Sequence, residues 1–233
     1  MILDVNFPIE IIRTNRTKSA SIQIDGDTVK VIVPKKLSDK RIEDLVLQRT
    51  PWIRQKLKLQ SEIVTPNPKE YVNGEAFTYL GRNYRLKLIS KGEEGVKLKN
   101  GYLQVSHPKA LSGEKLRDFV HTSLEGWYKA HALNRLAEKT QRYSQMLGVS
   151  PNTIKTRDYK SRWGSCSVSG EISYNWRIII APHRIVDYVV VHELCHMLEH
   201  NHSPKYWRQV GSIIPDYKEC RDWLKANGTG LFA

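Results

Sequence analysis

Cysteine is scarce in this chain. Three residues, Cys166, Cys195 and Cys220, stand among 233, and an odd number without ladder-like spacing excludes a disulfide framework and points to reduced thiols. Long hydrophobic runs are missing too, since no stretch reaches the roughly 20 apolar residues of a membrane span. The N-terminus lacks the basic, apolar and small-residue succession of a secretory leader, because Asp4 interrupts Met1-Ile2-Leu3 and Pro8 follows. Together these absences predict a soluble, cytoplasmic protein without a membrane partner. A phosphate loop of the Gly-x-x-x-x-Gly-Lys-Ser/Thr type occurs nowhere, which weighs against P-loop nucleotide chemistry. Acidic residues are in deficit: 24 against 37 Lys and Arg, for a formal charge of +13 and a pI of about 9.6. The cations are dispersed, so the balance suits either weak, sequence-independent binding of nucleic acid or another polyanion, or a merely solvated basic surface.

What is present begins with 40% hydrophobic residues, enough for a substantial core. Ile22 and Ile24, then Asp25-Gly26-Asp27, then Val29, Val31 and Val33 alternate as a hairpin does. Ser38 is placed to cap a helix carrying Ile42, Leu45 and Val46, and Thr50-Pro51 reads as the start of a second one before Trp52, Ile53 and Leu57. Pro66 and Pro68 mark a connection. Another hairpin follows over Phe77 to Ile89 with Gly81-Arg82-Asn83 in its middle, then a strand pair around Asn100-Gly101. Ser112 opens the longest helical pattern, with Leu116, Phe119, Val120, Leu124, Trp127, Tyr128, His131 and Leu136 on one side and Gly148 closing it. His131 is expected to support a core there, not to bind a ligand. Strand patterns return at Thr153 to Arg157 and at Glu171 to Ile180, and two helices are expected after Ser203-Pro204 and over Asp216 to Leu224, where they would buttress His202.

The chemistry is concentrated in one run, Val189-Val190-Val191-His192-Glu193-Leu194-Cys195-His196-Met197-Leu198-Glu199-His200-Asn201-His202. Residues four apart share a helix face, so His192 and His196 can aim two imidazoles at one ion. Glu193 stands beside them, the arrangement His-Glu-x-x-His of zinc hydrolases, in which the carboxylate works on a metal-bound water. For a third ligand His202 ranks first, because Asn201 can end the helix in a left-handed conformation and turn the chain back. His200 competes, one further turn along the same face. Between the two late strands, Ser161-Arg162-Trp163-Gly164-Ser165-Cys166-Ser167 is a small-residue loop. It reads equally well as a cleft lining, with Arg162, Trp163, Ser165 and the neighbouring Asn175 and Arg177 as candidates, or as a tight turn over a buried Trp.

Trp163-Gly164-Ser165-Cys166, Asn175-Trp176-Arg177, Tyr188 to His196, and Asn201-His202-Ser203 through Trp207 resemble the YgjP-like predicted metal-dependent hydrolases. The similarity is close over about residues 150 to 225 and looser toward the N-terminus. That family belongs with zincin-like peptidases, whose wider relatives include WLM and SprT-like proteases acting on proteins crosslinked to DNA. The resemblance implies a Zn2+ site of His192, His196 and His202 with Glu193 as base.

The expected fold is α+β: a β-rich region with two short helices over residues 1–108, then a zincin-like metallopeptidase region over 109–233. The expected activity is zinc-dependent hydrolysis of a peptide or protein, with the strand Ile172 to Ile180 holding an extended substrate if its edge is free. Two alternatives remain. One is zinc-dependent hydrolysis of a nucleotide phosphoanhydride, suggested by the positive charge with Arg162 and Arg177. The other is a nucleic-acid-binding module with a structural zinc, although such sites usually close with four protein ligands.

Overall fold

The computed structural model describes residues 5–16, 19–25, 28–62, 69–90 and 95–231. The chain is mixed α+β, with most of its strands in the N-terminal half and most of its helices later. It divides into two compact units, residues 1–65 and 66–233.

In the first unit, β1 (Ile9–Thr14), β2 (Ser21–Asp25) and β3 (Thr28–Pro34) form a sheet in the order β1-β3-β2. The pairing β1–β3 is parallel and β2–β3 antiparallel. The β2–β3 hairpin is therefore as its alternation predicts, its tip at residues 26 and 27 lying outside the described residues. Val29, Val31 and Val33 all point to one face and are fully buried against Ile42, Val46 and Ile53 of α1 (Asp39–Glu62). Two helices were expected here, parted at Pro51, yet α1 runs through it. Proline removes the hydrogen bond to the carbonyl of Leu47 and crowds that carbonyl with its ring. Leu47 is 50% exposed, so water can take that carbonyl, while Val46 and Ile53 hold one continuous buried face across the break.

The second unit opens with β4 (Ala76–Tyr79), β5 (Arg82–Ile89), β6 (Gly95–Lys99) and β7 (Tyr102–Ser106), ordered β4-β5-β7-β6. Two hairpins are joined by the parallel pair β5–β7. Their turns are Leu80-Gly81 and Asn100-Gly101, each with two positive φ values, the twist that two-residue hairpins favour. The first turn sits one residue earlier than expected, which forces leucine into a left-handed backbone (φ 50). Contacts to the segment 179–182 hold it there: Leu80 N–H donates to the Ile179 carbonyl at 2.8 Å and Gly81 N–H to that of Ile180 at 3.2 Å.

Behind this sheet lies α2 (Gly113–Leu147), 35 residues and about 50 Å long, ended by Gly148 at φ 68 as expected. Its buried stripe, including Val120, Leu124, Tyr128 and Leu136, shares one core with Phe77, Tyr79, Leu86, Leu103 and Val105 of the sheet. The expected division at 108/109 therefore differs from the one between compact units at 65/66, because strands β4 to β7 bury their apolar face with the later helices.

A third sheet, β8 (Thr153–Arg157), β9 (Gly164–Cys166) and β10 (Glu171–Asn175), is ordered β8-β10-β9. The expected strand to Ile180 stops at Asn175, whose side-chain oxygen accepts the Arg177 N–H at 3.1 Å and caps a 3-10 helix, Trp176–Ile180. β10 is also the central strand, so it has no free edge for a substrate; the edges belong to β8 and β9. Then follow α3 (His183–Cys195), α4 (Pro204–Ile213) and α5 (Tyr217–Asn227). Among the described residues no helix is long and apolar enough to cross a membrane.

Gly81 and Gly101 share a φ of 78, but a Cβ on Gly81 would lie 2.8 Å from Pro182 Cα whereas Gly101 faces open space. Gly101→Ala should cost about 1 kcal/mol from the backbone alone. Gly81→Ala should cost a further ~1–3 kcal/mol of overpacking, read as a clearly lower thermal midpoint; equal midpoints would mean the turn is not seated on Pro182.

Candidate metal centre

Helix α3 begins after Pro182 and is apolar on nearly every side: Ile185, Val186, Tyr188 to Val191, Leu194 and Cys195 are all buried. Lys139 of α2 reaches Asp187 on it at 2.6 Å. The polar groups gather at its C-terminal end. His192 and Glu193 lie in the last turn and His196 is the flanking residue, still right-handed at φ −66, ψ −18, so both imidazoles keep one face with centroids 5.0 Å apart. The helix stops earlier than expected. Successive turns follow, with Met197 N–H on the Leu194 carbonyl and Leu198 N–H on that of Cys195, and Asn201 is not among the left-handed residues. What brings the chain back is a tight bend, Ser203 N–H donating to the Asn201 carbonyl at 2.7 Å, then the Ser203 hydroxyl oxygen accepting Tyr206 N–H at 3.2 Å to cap α4.

The bend gathers three imidazoles. His192, His196 and His202 offer ring nitrogens that all lie within 4.8 Å of one another, while His200 is exposed and outside this group. His192 Nε2 and His202 Nε2 are 3.2 Å apart. Two donors at ~2.0–2.1 Å from a tetrahedral zinc would be separated by about 3.3–3.4 Å, so the donor set fits a single small divalent cation. The outer contacts suit this use. His196 Nδ1 faces the Glu199 carbonyl at 3.3 Å, which requires the proton on Nδ1 and leaves the Nε2 lone pair free. Burial, then the neighbouring His196 and His202, push His192 from 6.5 down to about 3, so it is neutral at physiological pH.

An aromatic scaffold holds the triad. Tyr206 is fully buried, donates its hydroxyl to the His192 carbonyl at 2.9 Å and stacks on His196. Trp207 stacks on His202 (centroids 5.5 Å, 21°), Tyr217 stacks on Trp207 (5.1 Å, 15°), and the Arg221 guanidinium lies 5.4 Å over the Trp207 ring. The expected buttressing by α4 and α5 thus has named side chains. Their signal in the sequence was the pair of aromatics four and five residues after His202.

Glu193 is 5% exposed and lies against edge strand β9. A Cβ on Gly164 would come within 2.5 Å of Glu193 Oε1, so only glycine leaves room for this carboxyl group. Burial pushes Glu193 up to about 8, and the nearby Arg162 cation pulls the other way. The other loop candidates separate by task. Asn175 is buried and ties the loop together, its Nδ2 donating to the carbonyls of Tyr159 and Arg162. The Ser165 hydroxyl bonds that of Tyr159 at 2.9 Å. Arg177 pairs with Asp158 and lies over the Trp176 ring, and the Trp163 indole packs on Gly228. Of the five, Arg162 acts on the Glu193 carboxyl through its charge; Gly164, which sequence reasoning missed as a functional position, lies directly against it.

Comparison with known proteins supplies the class, a metallopeptidase. Residues 18–227 match the family described as YgjP-like, metallopeptidase domain, and the chain belongs to that family. Among solved structures it is similar to the metallopeptidase zymogen of Pyrococcus abyssi abylysin, at 22% identity over 38% of this chain and 90% of that one, with a TM-score of 0.36. It is similar also to the zymogen of Methanocaldococcus jannaschii jannalysin, at 18% identity over 39% of this chain and 95% of that one, with a TM-score of 0.33. A comparison with curated proteins finds no significant match.

Two outcomes are expected. Between pH 4.5 and 8 the folded metal-free chain holds a proton on Glu193 that the unfolded chain releases, so that contribution to stability falls as pH rises. In EDTA, the thermal midpoint of Glu193→Gln should exceed that of the parent by a margin that widens from pH 5 to pH 8; a constant margin would mean the carboxyl group is not buried. Trp207→Leu removes the plate beneath His202 and should weaken metal affinity about 10- to 100-fold, measured by competition with a chromogenic chelator.

Proposed function

We propose that the chain is a zinc-dependent peptidase in which His192, His196 and His202 hold Zn2+ and Glu193 is the general base. The observation that carries this is three imidazoles within ligand distance of one another beside a buried carboxyl group, in a member of a metallopeptidase family. Zn2+ held by these three imidazoles would supply Lewis acidity and a nucleophile at neutral pH. The chain's own residues do the rest. Burial raises the proton affinity of Glu193 in the metal-free chain; a +2 ion beside it would draw that affinity back down and leave a carboxylate that accepts the proton of the attacking water and returns it to the leaving amine. The Gly164 Cα hydrogens keep water off one side of that carboxylate without a side chain to displace it. The free edge of β9, directly beside Glu193, suits an extended peptide added as a further strand.

A second reading, hydrolysis of a nucleotide phosphoanhydride, is favoured by Arg162 alone. It is an exposed cation at the rim of the site, electrostatically coupled to Glu193 and without an ion pair among the described residues. Arg177, the other cation that suggested it, is committed to Asp158.

The purified protein should hold about one zinc per chain by metal analysis, and His192→Ala, His196→Ala and His202→Ala should each lose it while His200→Ala keeps it. Glu193→Gln should keep zinc and lose about 100-fold or more in hydrolysis of unfolded proteins. Consumption of nucleoside triphosphates with proteins left intact would move the assignment to the second reading.

A further inference from the structure

The outer face of the sheet β4-β5-β7-β6 has no part in the metal centre, and its composition is one-sided. Strand register fixes which side chains share it. Arg85 pairs across to Tyr102 and Tyr102 to Lys99; Lys87 pairs to Gln104 and Gln104 to Lys97. The alternate residues Leu86, Leu103 and Val105 turn inward to the core with Phe77 and Tyr79. The outer face therefore carries two rows, Arg85-Tyr102-Lys99 and Lys87-Gln104-Lys97. All four cations are exposed, none makes an ion pair among the described residues, and no carboxylate stands in either row. Tyr102 is 41% exposed between them, with Lys87 Nζ 5.7 Å from its ring centroid.

Lysine on an edge strand can be explained as protection against edge-to-edge association, and that covers Lys97 and Lys99 on β6. It does not cover Arg85 and Lys87, because β5 is an interior strand with no edge to protect. Four uncompensated cations within two or three strand spacings of ~4.8 Å repel one another, and a polyanion laid across the rows relieves that repulsion. The tyrosine narrows the choice. A sheet face with an exposed ring at the start of interior strand β7 and cations on the strands to either side is a platform on which an unstacked base can lie while phosphates meet the lysines. Base faces are hidden in a duplex and absent from an acidic peptide or a lipid headgroup.

We propose that this sheet face binds single-stranded nucleic acid, with Tyr102 stacking on a base and Arg85, Lys87, Lys97 and Lys99 holding the backbone. Recognition is independent of sequence, since Gln104 and the Tyr102 hydroxyl are the only neutral hydrogen-bonding groups among the side chains of the two rows. The face belongs to the same compact unit as the metal centre, and the β4–β5 turn rests on Pro182, the residue preceding α3. The proposal does not rest on the peptidase reading: binding can be measured on Glu193→Gln protein with no turnover.

The test is fluorescence anisotropy of the full Glu193→Gln chain with end-labelled 20-nucleotide oligo(dT) and oligo(U). Affinity should fall steeply with salt. Tyr102→Ala should weaken it about 5- to 150-fold, the range for one lost base stack, while Tyr102→Phe keeps it. The double variant Lys97→Ala/Lys99→Ala should lower the logarithmic salt slope by about 1.4. Lys115→Ala/Lys218→Ala, the same charge loss at exposed positions on α2 and α5, should change affinity little. The proposal is overturned if the two double variants lose affinity equally, if Tyr102→Ala binds as the parent does, or if unlabelled duplex displaces the probe as well as single strand does. It is overturned also if polyglutamate or phosphatidylserine vesicles bind more tightly than the oligonucleotides. Should Tyr102→Ala fail to fold, the comparison of the two lysine double variants decides alone.

Discussion

Helix α3 is buried along most of its length, and it carries His192, Glu193 and His196 where its core contacts end. Everything in the candidate site follows from that placement. His192 and Glu193 lie in the last turn, close enough to the apolar interior to be shifted strongly in their proton affinities, and His196 lies just past it, at the point where the chain is free to bend back with His202. Deeper in the helix each such group would need a partner of its own, as Asp187 has in Lys139. Further out, water would remove both the shift and the rigidity.

The surroundings of the triad divide the cost of this arrangement. On one side the contacts are polar and directional, with Tyr206 on the His192 carbonyl and Glu199 on the His196 ring. On the other they are broad ring faces, Trp207 and Tyr217, which fix the plane of His202 without consuming its nitrogens. A stacked ring restrains tilt while leaving both imidazole nitrogens available, which suits a ligand delivered by a loop instead of a helix.

The parts legible in the sequence were those set by short periods. The spacing of His192, Glu193 and His196 placed three groups on one helix end, and the alternation of Val29, Val31 and Val33 placed a buried strand. His202 was chosen over His200 on an argument about Asn201 that the backbone does not follow; the helix ends sooner, and a bend at 201–203 does the turning. Ile172 to Ile180 alternates apolar and polar in sequence, but Trp176, Ile178 and Ile179 enter a buried 3-10 helix because the Asn175 side chain offers the backbone a nearer acceptor than the next strand does. Gly164 was hidden for a plainer reason. Glycine announces backbone freedom in a sequence, whereas its use here is the empty space that Glu193 fills.

The length of α2 has a consequence for how the molecule opens. One face of this helix joins strands β4 to β7, the 3-10 segment and α3 in a single apolar cluster, with Thr140 and Tyr174 hydrogen-bonded at 2.9 Å inside it, while the valines of β3 and the inner face of α1 form a second cluster of their own. Amide hydrogens along the middle of α2 can then exchange with solvent only when the metal helix and the four-stranded sheet let go together, so all three share one opening free energy. The valines of β3 and the inner face of α1 lie in the other compact unit, and the histidine triad lies in the unit that holds the larger cluster.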